Sequence, residues 1–356
     1  MIRRVIMDRS FFAASNSADG FKNYYGECFA RAERLFIVKG GPGTGKSTLM
    51  RRVADSAAQK GYDVERYYCS SDKSSLDGVL FFGNERIGLI DGTPPHPYNE
   101  KYPGLVEQIL DTGRFWDRRV LKNHGEQIRE LCEKKTKRYN MAYAYLRACG
   151  NLNQVRRAYL TDIQTEKMSR SVSRYLREVE SGVHFRSLPA LINGIGMNGE
   201  VHLDSFERTA RKIYLVSGEG ASDYLLAVME EARAKKLFIR VAYHPIYYRE
   251  IEGIFVEGAD IWFVIEDAVP HDIREKYEGK IKIINMSRFL SKSASPASTK
   301  EKKYCASLLS MCLGGAKKEL NRAAEAHFAL EGLYGEAMDF CGLEKYVSDV
   351  CESIVQ

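Results

Sequence analysis

The decapeptide PHPYNEKYPG at residues 95–104 recurs as PHDIREKYEG at residues 270–279, with six of ten positions identical at an offset of 175. The match runs on in both directions. KGYDVERYYCSSDKSSLDGVLFF, from Lys60, faces KKLFIRVAYHPIYYREIEGIFVE, from Lys235, and IGLID faces IWFVIE. RFW at Arg114 faces RFL at Arg288, and the apolar run RLFIV faces KIYLV. One decapeptide could recur by chance but a collinear series could not, so one unit is written twice. A long helical pattern ends each half, the second after the loose linker SKSASPAST. The expected domains are residues 1–182 and 183–356, with helical appendages over about 117–182 and 298–356.

Composition narrows the class. With 44% hydrophobic and 28% charged residues the chain reads as a soluble globular protein. The longest apolar runs, such as IWFVI, have strand length and fall far short of a membrane span. The first twenty residues carry early arginines without an apolar core, so they do not read as a signal peptide. Eight cysteines without a C-x-x-C pair point to reduced thiols and a cytoplasmic location. The net charge of +6 is uneven, because residues 114–177 hold 16 Lys and Arg against six Asp and Glu. The basic surplus therefore lies on the first helical appendage.

RLFIVKGGPGTGKSTLMRRVADSAAQKGYDVERYYC contains G-x-x-x-x-G-K-[ST] as Gly40, Gly45, Lys46 and Ser47. The glycines let successive N–H groups turn into one concavity, and the helix that follows aims its positive end at the same point. The expected phosphate cradle is Gly41, Pro42, Gly43, Thr44, Gly45, Lys46, Ser47 and Thr48. In it Lys46 reaches the β- and γ-phosphates and the Ser47 hydroxyl ligates Mg²⁺. Downstream, RIGLIDGTPPH reads as a buried strand ending in Asp91. A carboxylate there can hold the Mg²⁺ shell or orient water, or it can simply cap a turn.

The repeat serves as an internal comparison. Set against GPGTGKS, the segment GEGASDY puts Ser222, Asp223 and Tyr224 opposite Gly45, Lys46 and Ser47. A second loop without lysine has no counter-charge for a triphosphate, so no nucleotide is expected there. Asp72 in CSSDKSSLDG faces Tyr247 and vanished with the lysine, which makes it a candidate catalytic base or water-orienting group. Its alternative is a turn cap in a Ser/Asp-rich loop. Cys69, Ser70 and Ser71 belong to the same lost patch. His96 persists as His271 beside the altered loop and so reads as structural. Asp77 faces Glu252 and Asp91 faces Glu266, so neither acid was lost.

These motifs resemble the P-loop NTPase superfamily. LFIVKGGPGTGKSTLM, YYCSSDKSSLDGV and LIDGTPPH…KYPG, with an altered second copy, are similar to a bacterial family of tandem-duplicated P-loop ATPases. The resemblance implies an α/β fold of two tandem P-loop NTPase-like three-layer α/β/α domains, each with a helical appendage, the second copy degenerate. It also implies ATP and Mg²⁺ as ligands. No N/T-K-x-D-type guanine motif is present, which favours ATP over GTP.

Three functions are compatible with this reading. The first is an ATPase using Lys46 with Asp72 or Asp91, assisted by an arginine from the second half (Arg240, Arg249 or Arg274). The second is a small-molecule or nucleotide kinase. The third is a nucleotide-gated binding protein, possibly for nucleic acid, in which Tyr139, Tyr143, Tyr145 and Tyr159 stack on bases. Against the third stands a plain helix pair whose tyrosines pack in its own core. The second half also offers itself as a partner domain within one chain.

Overall fold

The computed structural model describes residues 7–94, 98–160, 162–291 and 296–355. The first half opens with β1 (Asp8–Phe12), a hairpin of β2 (Ala14–Ser17) and β3 (Gly20–Asn23), and the short helix α1 (Tyr25–Cys28). Then come β4 (Arg34–Lys39), α2 (Lys46–Gln59), β5 (Asp63–Tyr68), β6 (Leu76–Phe82), β7 (Arg86–Asp91) and β8 (Glu107–Asp111). Three helices follow, α3 (Arg118–Asn123), α4 (Gly125–Ala158) and α5 (Thr165–Tyr175). The second half repeats the plan with β9 (Arg186–Pro189), a hairpin of β10 (Asn193–Gly196) and β11 (Gly199–His202), and α6 (Ser205–Thr209). It continues through β12 (Lys212–Ser217), α7 (Ala221–Ala234), β13 (Phe238–Tyr243), β14 (Ile251–Val256), β15 (Ile261–Ile265), α8 (Ile273–Lys276) and β16 (Ile281–Asn285). It ends in α9 (Pro296–Glu336) and α10 (Phe340–Ile354).

The sheets run β1-β5-β6-β7-β4-β8 and β9-β13-β14-β15-β12-β16, the same order twice. Strand directions also agree: β6 and β14 are antiparallel to both neighbours, and the other pairings are parallel. Even a register shift recurs, between Tyr67 and Tyr68 and again between Ala242 and Tyr243. The duplication thus also covers the strand and hairpin that open each half, where the two sequences share little.

Alternation along the central strands explains the layering. Leu35 and Ile37 turn to one face of the first sheet, Phe36 and Val38 to the other, as a period of two requires. Ile213 and Leu215 face the same core as Leu35 and Ile37, so the inner faces of the two sheets share one apolar centre. The outer face of the first sheet is covered by α2, and that of the second by α7.

The shared centre also holds charge. Glu65 and Arg240 stand 175 apart, at one position of the repeat, and they pair with each other. Arg31 also reaches Glu65, at 3.1 Å, while Glu257 bonds Arg9 at 2.7 Å and Arg240 at 3.0 Å. Burial alone would raise the Glu65 carboxyl, but the two guanidiniums override it and hold the pKa down at about 2.

The appendages cross over. α4 and α9 lie antiparallel, joined by Arg138–Glu319 at 3.0 Å and by Tyr145 packed on Gly315. The first half's α5 then packs Met168, Val172 and the following Leu176 beside Tyr224, Leu225 and Val228 of α7. The second half's α10 packs Leu343, Val347, Val350 and Ile354 beside Leu49, Met50 and Val53 of α2. Each half thus finishes the outer layer of the other.

One expected alignment is corrected. Gly45 and Gly220 are the left-handed residues (φ 74° and 83°) that open α2 and α7. The Ser47 hydroxyl accepts the Leu76 N–H at 2.9 Å, and the Ser222 hydroxyl accepts the Ile251 N–H at 3.3 Å. Both pairs keep the offset of 175, whereas Arg34 and Lys212, which open β4 and β12, stand 178 apart. The second loop is therefore three residues shorter. Ala221, not Asp223, occupies the lysine position, Ser222 matches Ser47, and Tyr224 matches the core residue Leu49. Tyr224 is fully buried and pairs its hydroxyl with Ser171, so it fills the core of α7 instead of crowding a metal position.

Candidate functional site

The loop of residues 40–45 joins β4 to α2. Gly40, Gly43 and Gly45 have φ of 154°, 69° and 74°, conformations open to glycine at little cost. Space matters as well: a Cβ on Gly43 would sit 2.9 Å from the Glu331 carbonyl, and one on Gly45 would sit 2.7 Å from the Leu343 side chain. The loop is therefore clasped by Glu331 of α9 and Leu343 of α10, residues more than 280 positions away in the chain.

Lys46 opens α2 and curls back, donating to the carbonyls of Gly40 and Gly41 at 2.8 Å each. Its Nζ also lies 3.7 Å from Asp91 Oδ2 at the end of β7. Asp91 Oδ1 accepts the Thr93 N–H at 2.8 Å and the Thr93 hydroxyl. Thr44 and Thr112 hydroxyls meet at 3.1 Å behind the loop and fix its base. The pair expected from two separate motifs, Lys46 and Asp91, is thus brought together by the parallel pairing of β4 with β7.

Asp72 lies at the same opening. Its carboxylate accepts the Ser74 N–H at 3.0 Å and the Ser74 hydroxyl at 2.8 Å, the turn-capping geometry that was the alternative to a chemical role. The cap does not withdraw it from the site, for Asp72 still lines the cavity and acts on the charges of His327 and Glu331. The second half braces this loop: Met197 N–H donates to the Ser71 carbonyl at 2.8 Å, and the closely packed Gly196 leaves no room there for a side chain.

A cavity of about 810 Å³ opens over the loop. Residues 41–48 form its floor, Cys69, Ser71, Asp72 and Asp77 one wall, and Asp91 and Thr93 another. The roof comes from the helical arms: Lys135 and Tyr139 from α4, His327 and Glu331 from α9. Burial, with Lys135 adding to it, pulls the His327 imidazole down to about 4, so it is neutral near pH 7. Burial, reinforced by Asp72, raises the Glu331 carboxyl. Lys46 and Lys135 are the only described lining residues with a fixed positive charge.

Three of the roof residues, Lys135, His327 and Glu331, escaped the sequence reading. Lys135 was one lysine among many in a basic helix, and Glu331 and His327 sit in the other half of the repeat. No local motif marks them. The expected helper arginines lie elsewhere: Arg240 is buried against Glu65, Arg249 stacks on Tyr248 at the surface, and Arg274 pairs with Glu266. None of the three lines the cavity, which corrects that expectation. His96 lies outside the described residues, and its counterpart His271 is exposed. Of the four tyrosines weighed for base stacking, Tyr139 and Tyr143 line the cavity, while Tyr145 and Tyr159 are exposed.

Residues 22–80 match a family model. It is described as nephrocystin 3, N-terminal, and the match spans the elements from β3 to β6, including the glycine loop. The chain is similar to that family over this stretch. No curated protein and no solved structure matched it. Among the described residues, no helix is long and apolar enough to cross a membrane.

Proposed function

We propose that the chain binds Mg²⁺–ATP at the loop of residues 41–48 and hydrolyses it, with the second half serving as a partner domain that binds no nucleotide. The observation that carries this reading is the placement of Lys46 in a left-handed glycine cradle, 3.7 Å from Asp91. Lys46 bonds carbonyls that an incoming phosphate would relieve of it, and the backbone N–H groups of the loop with the N-terminus of α2 supply the rest of an anion seat. Among the described residues no group of three or more His, Cys, Asp or Glu is arranged to hold a metal. A Mg²⁺ here would take the Ser47 hydroxyl, phosphate oxygens and water, with Asp91 behind them, which suits an ion that keeps much of its hydration.

Asp91 and Asp72 flank the seat as candidates to orient the attacking water. Neither Asp223 nor Tyr224 supports binding in the second half. The firmer argument against a second site is the loss of three loop residues together with the lysine. A phosphotransfer reading draws support from one further observation: the cavity continues past the loop to Asn16, Tyr143 and Met197, leaving room for an acceptor.

The test is Mg²⁺-dependent phosphate release and ATP binding by the full chain and by Lys46→Ala. Hydrolysis predicts steady release without an acceptor, lost in the variant. Release only when an acceptor is added would favour phosphotransfer. Equal rates in both proteins would refute the site.

A further inference from the structure

We propose that Lys135 of α4 is the second cation on the terminal phosphate of the bound nucleotide, the role first sought among the arginines of the second half. This rests on the nucleotide reading above. Lys135 lines the same cavity as residues 41–48, and it faces His327 and Glu331 across the antiparallel arm.

Three observations carry the assignment. First, Lys135 is half-buried, yet among the described residues it has no hydrogen bond and no carboxylate within the 4.0 Å of an ion pair. Second, its neighbours make the charge costly. Burial lowers its pKa, Cys132 and Glu331 only partly offset that, and the positive charge of Lys46 adds to the lowering. A cation held in that state gains from an arriving polyanion, because the anion supplies the partner that the fold withholds. Third, the arm fixes its place. Arg138, three residues after Lys135, is tied to Glu319, and the ring of Tyr139 packs against that of Tyr143 with centroids 6.1 Å apart.

The choice of phosphate follows from what shares the cavity with Lys135: Lys46, which in such loops reaches the outer phosphates, and Glu331, whose backbone sits over Gly43. With His327 neutral, Lys46 and Lys135 alone would bring fixed positive charge to that end of the ligand from the chain. A cation brought from outside the α/β core can be worth orders of magnitude in rate, as arginine fingers are.

The experiment uses the full chain with Lys135→Ala and Lys135→Arg, measuring Mg²⁺–ATP and Mg²⁺–ADP affinity and ATP turnover. Lys135→Ala should lose at least about tenfold in ATP affinity or turnover while ADP affinity stays within about twofold. Lys135→Arg should keep most of both. A melting curve matched to wild type separates this from misfolding, and Lys135→Gln provides a second neutral variant if the alanine protein melts early. The inference is overturned if the neutral variants behave as wild type, or if they lose ATP and ADP equally. If the unaltered chain binds no nucleotide, the nucleotide reading fails and this assignment falls with it. If Lys46→Ala destroys binding while Lys135→Ala changes nothing, only this assignment falls.

Discussion

The loop of residues 40–45 and its counterpart at residues 218–220 share a preceding strand, a closing left-handed glycine and a following helix. They differ in length and in how their surroundings use charge. At the longer loop Lys46 and Lys135 face an open cavity, one bonded to carbonyls and one to nothing among the described residues. At the shorter loop two cations are paired with carboxylates: Lys302 bonds Glu219 at 2.7 Å, and Arg157 lies 3.5 Å from Asp223. Ile163 packs where a Cβ on Gly220 would fall, 2.8 Å away. On the nucleotide reading proposed above, one loop is the anion seat and the other a structural joint. The same backbone plan supports both, so the fold of the repeat does not dictate the chemistry.

The largest test of that contrast exchanges the lysine position. Lys46→Ala should reduce ATP turnover by about a hundredfold or more, because the counter-charge to the outer phosphates is lost. Ala221→Lys should confer no nucleotide binding on the second half, because three residues of the cradle are missing there. Binding of a second nucleotide by Ala221→Lys, read by calorimetry, would break the comparison.

Next comes the point where the halves meet themselves. Arg240→Ala leaves Glu65 buried with Arg31 and the Tyr67 hydroxyl as its remaining partners, and should cost about 3 kcal/mol in denaturant unfolding. The Glu65 carboxyl, held at about 2 against an ordinary 4.5, contributes stability that is present above pH 4.5 and lost as pH falls toward 2. Acid sensitivity in that window should weaken in Arg240→Ala. An unchanged acid limb would show that the pair contributes little.

The crossed arms offer a matched pair of substitutions. Leu343→Ala on α10 and Leu176→Ala after α5 each remove one buried leucine from an outer layer, and each should cost about 2–4 kcal/mol. Only Leu343→Ala should also weaken ATP binding, since Leu343 touches the position of Gly45. Equal effects on binding from both would erase the distinction between the halves.

A further test concerns Glu252, the counterpart of Asp77. Burial raises its carboxyl to about 8, so it is protonated in the folded chain at neutral pH while the unfolded chain ionises it near 4.5. Stability should fall as pH rises through that window, because the unfolded state releases its proton first. Glu252→Gln should flatten this slope in urea titrations at pH 5 and pH 9. An unaltered slope would assign the pH dependence elsewhere.

The sequence by itself determined the repeat, the α/β class, the strand–loop–helix around Lys46 and the carboxylate of Asp91. Each of these is written in contiguous residues whose spacing has a local physical cause: period-two alternation, glycine conformation, the start of a helix. It also suggested that the second loop differs, though it misplaced the difference by two residues, since a three-residue deletion beside a conserved helix leaves no mark in a single chain. Only the tertiary structure decided which helix covers which sheet, where Arg240 goes, and that α4 and α9 roof the cavity with Lys135, His327 and Glu331. Those positions depend on how two long arms pack against stretches far away in the chain. Apolar packing has no directional code within the chain, so the arms' destination is set by which exposed faces remain to be buried once both sheets have formed.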